Sequence, residues 1–328
     1  MNYFLAQLVN GITLGGMYAL IALGYTMVYG VLLMINFAHS EMFMSGAYIG
    51  LGTLLLLSNA GTQNAICKVL PFLGFLKSLR GFFTTSTVGL VMLLIIVLAV
   101  AALLTGLLGV LIERFAYRPL RHAPRLAPLI SALGVSIFLQ NAVLLWIAKD
   151  HPFQTALPTT DLSGSLHLGI TPVRIMIVAT SVLLLIVLDL FIARTKMGKA
   201  MRATSQDQDA SGLMGINVNS IIALTFFIGP ALGGIAGVFS GIYYRAVAYN
   251  MGFLPGIKSF TAAVIGGIGN LRGAMLGGFL LGLIESFAQM LPIAGAASYK
   301  DVITFVILIV ILVFRPGGLL GSSVVEKV

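Results

Sequence analysis

Long apolar segments, separated by short polar loops, recur along this chain of 328 residues. A helix needs about 20 apolar residues to cross a bilayer, and the segments predict an all-α polytopic integral membrane protein with about eight or nine transmembrane helices in a single domain, 1–328. Two segments are doubtful spans: 253–269 is short, broken by glycine and compatible with a re-entrant segment, and 301–314 is expected to begin earlier than its first apolar residue. The segments are 5–33, 41–58, 87–111, 127–148, 172–192, 220–243, 253–269, 272–291 and 301–314.

The composition supports a membrane location. Hydrophobic residues make up 59% of the chain and charged residues 9%, whereas a soluble domain carries about 25% charged residues. The net charge is +9, but the basic residues lie in short loops and form no arm or patch, so nucleic-acid binding is not expected. The single cysteine, Cys67, excludes an intrachain disulfide and a cysteine metal cluster. The N-terminal stretch MNYFLAQLVNG lacks the basic residues of a signal peptide and is interpreted as the start of the first span.

The basic residues predict the orientation of the chain. Four arginines lie in 113–125 and four basic residues in 193–220, whereas 149–172 has one lysine. Cytoplasmic loops are enriched in Lys and Arg, so 113–125 and 193–220 are placed inside and 149–172 outside. The N-terminus is then outside and, after nine crossings, the C-terminus is inside. Segment 59–86 falls outside although it holds Lys68, Lys77 and Arg80; it is either an interfacial helix or a tolerated insertion.

Glycines recur every four residues in two of the later segments. Small residues at this spacing let two helix backbones approach closely in a membrane, so we expect helix packing rather than ligand contact there. The stretches GITLGGMYALIALG (11–24) and GAMLGGFLLGLIE (273–285) are also loosely alike, as internal repeats of transporters are. The recurring glycines are Gly229, Gly233, Gly237, Gly241, Gly269, Gly273 and Gly277.

A cluster of polar residues separates the first two apolar segments: Asn36, His39, Ser40 and Glu41. Ionisable residues at membrane depth are rare and mostly functional. Adjacent side chains on a helix point in different directions, so His39, Ser40 and Glu41 are not expected to form one catalytic group. The chain also lacks H-E-x-x-H and G-x-S-x-G, and a membrane enzyme is not expected. Two interpretations of Asn36 and His39 stay open, a place near a translocation path or hydrogen bonding at a helix end.

Three groups of ionisable residues are candidate sites of ion coupling: Asp189, Glu285, and the His39–Glu41 pair at a span boundary. Asp189 lies close to a loop and is expected at the membrane interface, whereas Glu285 is expected to be buried and therefore paired, hydrogen-bonded or beside water. One buried acid is thin support for an ion-coupled secondary transporter that works alone.

The chain has no ATP-binding motif of its own. The stretch MGKAM (197–201) lacks a glycine five residues before Gly198 and a hydroxyl residue after Lys199, so it is not a P-loop. No cofactor is expected in this chain. If ATP drives it, the nucleotide binds to a separate subunit.

Loop 193–220 is predicted to contain a short amphipathic helix with Gly215 at its C-terminal end. Asp207 and Asp209 would lie on its polar side, where anionic lipid repels them, and this favours a protein partner over the membrane surface. The apolar side would consist of Ala203, Ala210, Leu213 and Met214.

Several stretches together resemble the H-type permease of branched-chain amino acid (leucine/isoleucine/valine) ABC transporters, over nearly the whole chain. DASGLMG (209–215) is also similar to the degenerate E-A-A-x-x-x-G pattern of ABC-importer permeases. Two departures stand out: Ser40 replaces the glycine of the family's N-F-A-H-G-E, and 59–86 is longer than the family norm. The stretches are GITLGGMYALIALGYTMVYGVLLMINFAHSEMFMSGAY (11–48), ERFAYRPLR (113–121), LISALGVSIFLQN (129–141), TKMGKAMRA (195–203), FTAAVIGGIGNLRGAMLGG (260–278) and RPGGLLG (315–321).

The resemblance implies a pore-forming subunit in the bacterial inner membrane, surrounded by lipid. The implied partners are a second homologous permease, two ATPase subunits and an extracytoplasmic substrate-binding protein. Leucine, isoleucine and valine would be the cargo, although related permeases with these motifs carry urea, short amides or other amino acids. The stretch 36–48 would line or gate the path. An ion-coupled transporter and a membrane scaffold without transport are the alternatives. ATPase coupling would fall to Ala203, Asp207, Asp209, Ala210, Leu213 and Gly215.

Overall fold

A computed structural model of the chain describes residues 2–32, 34, 36–62, 81, 83, 86–121, 123–124, 126–147, 150–153, 161–163, 168–290, 298–315 and 317–320. These residues are almost entirely helical. The helices are α1 Asn2–Leu32, α2 His39–Ser58, α3 Thr87–Ile112, α4 Leu126–Ile147, α5 Pro172–Arg194, α6 Lys196–Gln206, α7 Gln208–Leu213, α8 Val218–Tyr244, α9 Phe253–Gly266, α10 Leu271–Ala288 and α11 Lys300–Phe314. Helix α3 continues into a π-helix, Glu113–Tyr117, and a 3₁₀ turn, Arg118–Leu120.

Each of the nine apolar segments coincides with a helix. Seven helices in the described part are long and apolar enough to cross a membrane, namely α1, α2, α3 with its extension, α4, α5, α8 and α10. Helices α9, with 14 residues, and α11, with 15 residues, are shorter than a full span. Helix α9 ends at Gly266 because the backbone turns at Gly267 and Gly269, which have φ values of 105° and 93°. Helix α11 begins at Lys300, before its first apolar residue, as predicted.

The first and tenth helices form the central contact of the bundle, and they run antiparallel. A Cβ atom added to Gly282 would meet the backbone of Gly15, and one added to Gly278 would lie 2.5 Å from the backbone of Ala19. Only glycine lets the two backbones come this close. The two stretches of similar sequence, 11–24 and 273–285, are therefore packed against each other.

Helix α8 packs along α1 and α2 through its row of glycines. A Cβ atom at Gly229 would lie 3.2 Å from the carbonyl oxygen of Gly24, and one at Gly237 would meet the carbonyl oxygen of Phe43. Gly241 faces the ring of Phe153 in the same way. The expected close approach of backbones is therefore present at Gly229 and Gly237, whereas Gly233 and Gly241 face the side chains of His39 and Phe153.

The second row of glycines is only partly a packing face. Gly273 lies against the backbone of Gly266 and Gly277 against Ala262, both in α9. Gly269 was assigned to this row wrongly, because it precedes α10, has a φ value of 93° and has no atom within 4 Å of an added Cβ. It serves the turn between α9 and α10, where a positive φ favours glycine.

One end of the bundle gathers the loops predicted to be cytoplasmic. Leu319 and Leu320 donate backbone hydrogen bonds to Ile265 and Gly266, which brings the C-terminal segment to the end of α9. Nearby, Arg272 forms a salt bridge of 2.8 Å with Asp189 at the end of α5. Asp189 is partly exposed, as expected for an interface residue.

The opposite end carries the only strands in the described residues, β1 His151–Pro152 and β2 Ala246–Val247, which pair antiparallel. The segment predicted as an outer insertion, 59–86, also starts there. Most of it, with Cys67, Lys68, Lys77 and Arg80, lies outside the described residues. At its start the Asn59 side chain accepts hydrogen bonds from the backbone of Gly61 and Thr62, at 2.8 and 3.2 Å.

Candidate functional site

The chain turns back into the bundle between α1 and α2. Helix α1 ends at Leu32, yet the imidazole of His39 lies against Gly24, where an added Cβ would collide with it. Gly24 precedes Leu32 by eight residues, which corresponds to about 12 Å of helix. Helix α2 therefore begins inside the bundle rather than at its surface, and the polar residues at its start are enclosed by protein.

His39 occupies the junction of α1, α2 and α8. It is fully buried, and its ring lies edge-on to that of Tyr25 with centroids 4.6 Å apart. On the other side an added Cβ on Gly233 would be 3.6 Å from the imidazole. The backbone of Ile21 is placed to interact with the imidazole, but neither ring nitrogen makes a hydrogen bond of normal geometry with the described residues. A buried polar group in this state costs about 1–3 kcal/mol.

Glu41 connects α2 to α4. Its Oε1 atom accepts hydrogen bonds from Gln140 at 2.8 Å and from Ser136 at 3.1 Å. Its Oε2 atom is buried and has no partner in the described part of the chain. His39 points away from the carboxylate of Glu41, as expected for adjacent residues on a helix. Ser40 does not point away, because its hydroxyl lies 3.3 Å from Oε1 of Glu41.

Ser40 replaces a glycine of the family pattern without requiring an unusual backbone. It lies in the first turn of α2, and Arg245 is the only described residue other than glycine with a positive φ. Ser40 therefore needs no turn that only glycine could adopt. The space for its side chain comes from Gly256 in α9, where an added Cβ would collide with the Cβ atom of Ser40, whereas Gly252 lies against the carbonyl oxygen of Ser40.

Asn36 is held by the end of α3. Its Oδ1 atom accepts a hydrogen bond of 2.7 Å from the hydroxyl of Tyr117, and both residues are buried. Tyr117 closes the π-helical extension of α3. Such π-helices are rare and occur frequently at functional sites. The break between α1 and α2, where Asn36 lies, is therefore attached to the π-helical end of α3.

Arg121 connects the same helix end to the loop predicted to be cytoplasmic, 193–220. It forms an ion pair with the buried Glu113 and donates a hydrogen bond of 2.6 Å to the side chain of Asn219. Asn219 lies in the first turn of α8, at the end of loop 193–220. Polar contacts therefore lead from this loop to Glu113, and the π-helix connects Glu113 to Tyr117, which binds Asn36.

Loop 193–220 folds into two helices instead of one. Asp207 ends α6 and has extended φ and ψ values of −157° and 115°. Its side chain accepts a hydrogen bond from the backbone of Ala210 and thereby caps the start of α7. The prediction of a single amphipathic helix over this stretch is therefore wrong. Ala203 is half-buried in α6, whereas Asp209 and Ala210 are exposed in α7, so Ala203 and Ala210 do not share one apolar face.

Helix α7 ends in a turn that exposes two large apolar side chains. Leu213 and Met214 are 90% and 84% exposed. Gly215 follows with a φ of 84°, Gly215 N donates to Gly212 O, and Ile216 N donates to Ser211 O. This pair of hydrogen bonds is a Schellman motif, which favours glycine at this position. An open groove of about 670 Å³ runs beside the turn, between Arg121 and α7.

Glu285 is buried and paired, as predicted. Its Oε2 atom lies 2.8 Å from the hydroxyl of Tyr18 and 2.9 Å from Nζ of Lys258. Lys300 reaches Oε1 at 3.4 Å, and Lys258 also forms a salt bridge of 2.6 Å with Asp301. The group joins α1, α9, α10 and α11. Within the described residues, no cluster of His, Cys, Asp or Glu could hold a metal ion.

The predicted outer loop is organised by one carboxylate. Asp161 accepts hydrogen bonds from the Ser163 hydroxyl at 2.6 Å and from the backbone of Ser163, Gly169 and Ile170. These hydrogen bonds, that of the Ser163 side chain first, lower the pKa of Asp161 to about 2. The carboxylate therefore stays ionised, and the loop keeps its hydrogen bonds, at any pH well above that value.

Sequence reasoning missed several residues that complete these contacts. Tyr117, Arg121, Ser136 and Gln140 lie in stretches that resemble the family, but nothing in their spacing shows that they meet Asn36, Asn219 or Glu41. Lys258 stands in an apolar segment, where a lone lysine predicts a buried acidic partner. That signal was available and would have paired it with Glu285.

Comparison with known proteins gives a consistent assignment. Residues 7–312 match the family described as branched-chain amino acid transport system, permease component. The chain is 44% identical over 330 residues to the high-affinity branched-chain amino acid transport system permease protein BraD of Pseudomonas aeruginosa, covering 99% of this chain and 98% of the relative. No solved structure matches the chain.

Two further relatives show the range of the family. The chain is 40% identical over 333 residues to the high-affinity branched-chain amino acid transport system permease protein LivH of Escherichia coli, with 99% and 98% coverage. It is 25% identical over 230 residues to the autoinducer 2 import system permease protein LsrC of Escherichia coli, with 66% and 63% coverage. By its full-length match and its polytopic helical fold, the chain belongs to the family of branched-chain amino acid transport system permease components.

Proposed function

We propose that this chain is a permease subunit of an ABC importer that carries branched-chain amino acids across the bacterial inner membrane. The observation that carries the proposal is its 44% identity to BraD, a high-affinity branched-chain amino acid permease, over almost the full length of both chains. A second homologous permease completes the pore. Two separate ATPase subunits bind and hydrolyse ATP, and a soluble extracytoplasmic protein delivers the amino acid.

The end of α7 is the proposed docking point for an ATPase subunit. Leu213 and Met214 project from a polar cytoplasmic loop with almost their whole side chains exposed, and apolar anchors of this kind fit a hydrophobic cleft on a partner. Asp207 and Asp209 flank the turn and argue against docking onto anionic lipid. The groove between α7 and Arg121 gives the partner a second contact surface.

The contacts between this loop and the interior supply a route for the motion. Asn219 follows the docking turn and binds Arg121, which pairs with Glu113 in the π-helix. Tyr117, at the end of the same π-helix, holds Asn36. Coupling between distant sites travels through such chains of packed and hydrogen-bonded groups. A displacement of α7 would reach the break between α1 and α2 through these residues.

The break itself is the proposed gate. The ring nitrogens of His39 and Oε2 of Glu41 are buried without hydrogen bonds of normal geometry to the described residues, which makes this arrangement costly to keep. A second arrangement in which these groups meet water would remove this cost. The glycine contacts of α8 with α1 and α2 present smooth backbone surfaces that can slide. Alternating access would then consist of a movement of α2 against α8 and α9.

Loss of the two exposed apolar side chains is predicted to weaken ATPase binding. The double substitution Leu213→Ser and Met214→Ser removes the anchors but leaves the backbone of α7 intact, so the chain should reach the membrane at normal levels. Copurification with the ATPase subunits should fall at least tenfold. Met197→Ser is the matched control, because Met197 is also apolar, partly exposed and in the same loop. Undiminished copurification of the double variant would contradict docking at this turn.

Removal of the Tyr117 hydroxyl is predicted to uncouple ATP hydrolysis from uptake. Tyr117→Phe leaves Oδ1 of Asn36 without its donor, at a cost of about 1–3 kcal/mol. Uptake per ATP hydrolysed should fall severalfold, with ATPase docking unchanged. Asn36→Ala should have a similar effect, and the double variant should be no worse than either single one. Additive losses would show that the two residues act separately.

The cargo has one competing assignment within the same class. LsrC, a relative of this chain, is named for import of autoinducer 2, so this fold serves more than one kind of molecule. Urea, short amides or another amino acid are the alternative cargoes. An ion-coupled transporter is less well supported, because Glu285 is already paired with lysine. Such a transporter would have to use Glu41, which is buried and hydrogen-bonded to Ser136 and Gln140.

A further inference from the structure

A cavity of about 320 Å³ opens at the end of the bundle that carries β2 and the start of α11. This is the end opposite to loop 193–220, and the charge distribution predicts that it faces outwards. Five charged residues line it: Asp150, Lys258, Glu285, Lys300 and Asp301. The cavity is not part of the break between α1 and α2, and neither the docking turn nor the gate uses it.

Two of the charged residues in this cavity, Lys258 and Glu285, are buried more deeply than a contribution to folding stability would require. Lys258 and Glu285 are 4% and 1% exposed, and Lys258 is shared between Glu285 at 2.9 Å and Asp301 at 2.6 Å. A buried ion pair is on average no more stabilising than apolar residues of the same size. Ionisable groups enclosed in a membrane protein generally mark a path for a substrate or an ion.

The remaining wall of the cavity is mixed. Ala248, Met251 and Leu254 form an apolar part of it, and Tyr18, Ser240 and Tyr244 contribute hydroxyl groups. The volume falls at the lower end of the range of about 300–1,000 Å³ found for small-molecule sites. A ligand that fits this arrangement is small, has a positive and a negative group close together, and carries an apolar tail.

We infer that this cavity is a binding site on the permease itself for an aliphatic amino acid in its zwitterionic form. Lys258 and Lys300 would receive the α-carboxylate, and Glu285 and Asp301 the α-ammonium group. The aliphatic side chain would lie against Met251 and Leu254. The inference rests on the proposed function and adds to it, because the pore then selects for the amino acid head group after the binding protein has released its cargo.

Direct binding of leucine tests the inference. The whole complex of permeases and ATPases is placed in lipid nanodiscs without ATP and without the binding protein, and bound labelled leucine is measured. Saturable binding is expected. 4-Methylpentanoate lacks the ammonium group and 3-methylbutylamine lacks the carboxylate, so each should compete at least tenfold more weakly than unlabelled leucine.

Substitutions assign the binding to this cavity. Lys258→Met and Lys300→Gln are each expected to raise the Kd for leucine at least tenfold. Lys258→Met breaks a buried pair and can impair assembly, but Lys300 is about one-third exposed, so Lys300→Gln decides the question in an assembled complex. Arg272→Gln breaks the salt bridge at the opposite end of the bundle and should leave the Kd within twofold.

Three results would overturn the site: no saturable binding to the unaltered complex, equal competition by the two single-charge analogues, or an unchanged Kd in Lys300→Gln. ATP-driven leucine uptake by a complex that shows any of these would remove the site and leave the proposed function standing. Specific binding in the cavity without leucine uptake would instead support the site and contradict the proposed transport.

Discussion

Gly215→Asp is expected to reduce ATP-driven uptake more than tenfold while the chain still inserts into the membrane in normal amounts. Gly215 has a φ of 84°, and a residue with a Cβ atom pays about 1–2 kcal/mol in this left-handed region. The Schellman turn that presents Leu213 and Met214 would be distorted, and a negative charge would be added at the C-terminal end of α7, where it is unfavourable. Membrane-fraction immunoblots and uptake assays measure the two effects.

The matched control for this variant is Gly317→Asp. Gly317 lies at the same end of the bundle, has no positive φ and has no atom within 4 Å of an added Cβ. It receives the same charge without the same backbone strain, so uptake should stay within twofold of the unaltered protein. Normal uptake in Gly215→Asp would contradict the assignment of this turn to ATPase coupling.

Gly237→Val is expected to prevent folding. A Cβ atom at this position would collide with the carbonyl oxygen of Phe43 and lie 3.0 Å from the backbone nitrogen of Ala47. Both contacts are with the backbone of α2, which cannot rotate away as a side chain can. Overpacking of this kind typically costs about 1–3 kcal/mol and occasionally more, and here the fixed backbone leaves no relief. The amount of monodisperse protein in detergent, measured by size-exclusion chromatography, should fall severely.

Gly52→Val provides the comparison, because Gly52 lies in the partner helix α2 and has no atom within 4 Å of an added Cβ. It should give a normal yield and a normal elution profile. A Gly237→Val protein with the yield of Gly52→Val would show that α2 and α8 are not in close contact.

Much of the fold could be predicted from the sequence because the bilayer imposes one requirement on every span. A segment in hydrocarbon must satisfy its backbone hydrogen bonds internally and be apolar, so each apolar segment became a helix with bounds within a few residues of those expected. The burial and pairing of Glu285 followed from the same requirement. The shortness of α9 was visible in its glycines.

The interior of the site could not be predicted in the same way. That His39 lies beside Gly24 depends on how the chain passes from α1 to α2, which local sequence does not set. Asn36 and Tyr117, or Glu41 and Gln140, are too far apart in sequence for any periodicity to pair them. The division of loop 193–220 was readable in principle, since aspartate is a preferred N-cap residue, and Asp207 starts α7 in this role.

The most direct test of the central claim is uptake into proteoliposomes that contain this chain, a second permease and two ATPase subunits. Labelled leucine is supplied with its binding protein, with and without ATP on the ATPase side. The account predicts ATP-dependent accumulation that isoleucine and valine compete for. ATP hydrolysis without leucine uptake would contradict the cargo and lead to urea, amides and other amino acids, and uptake that follows an ion gradient and ignores ATP would contradict the ABC permease itself.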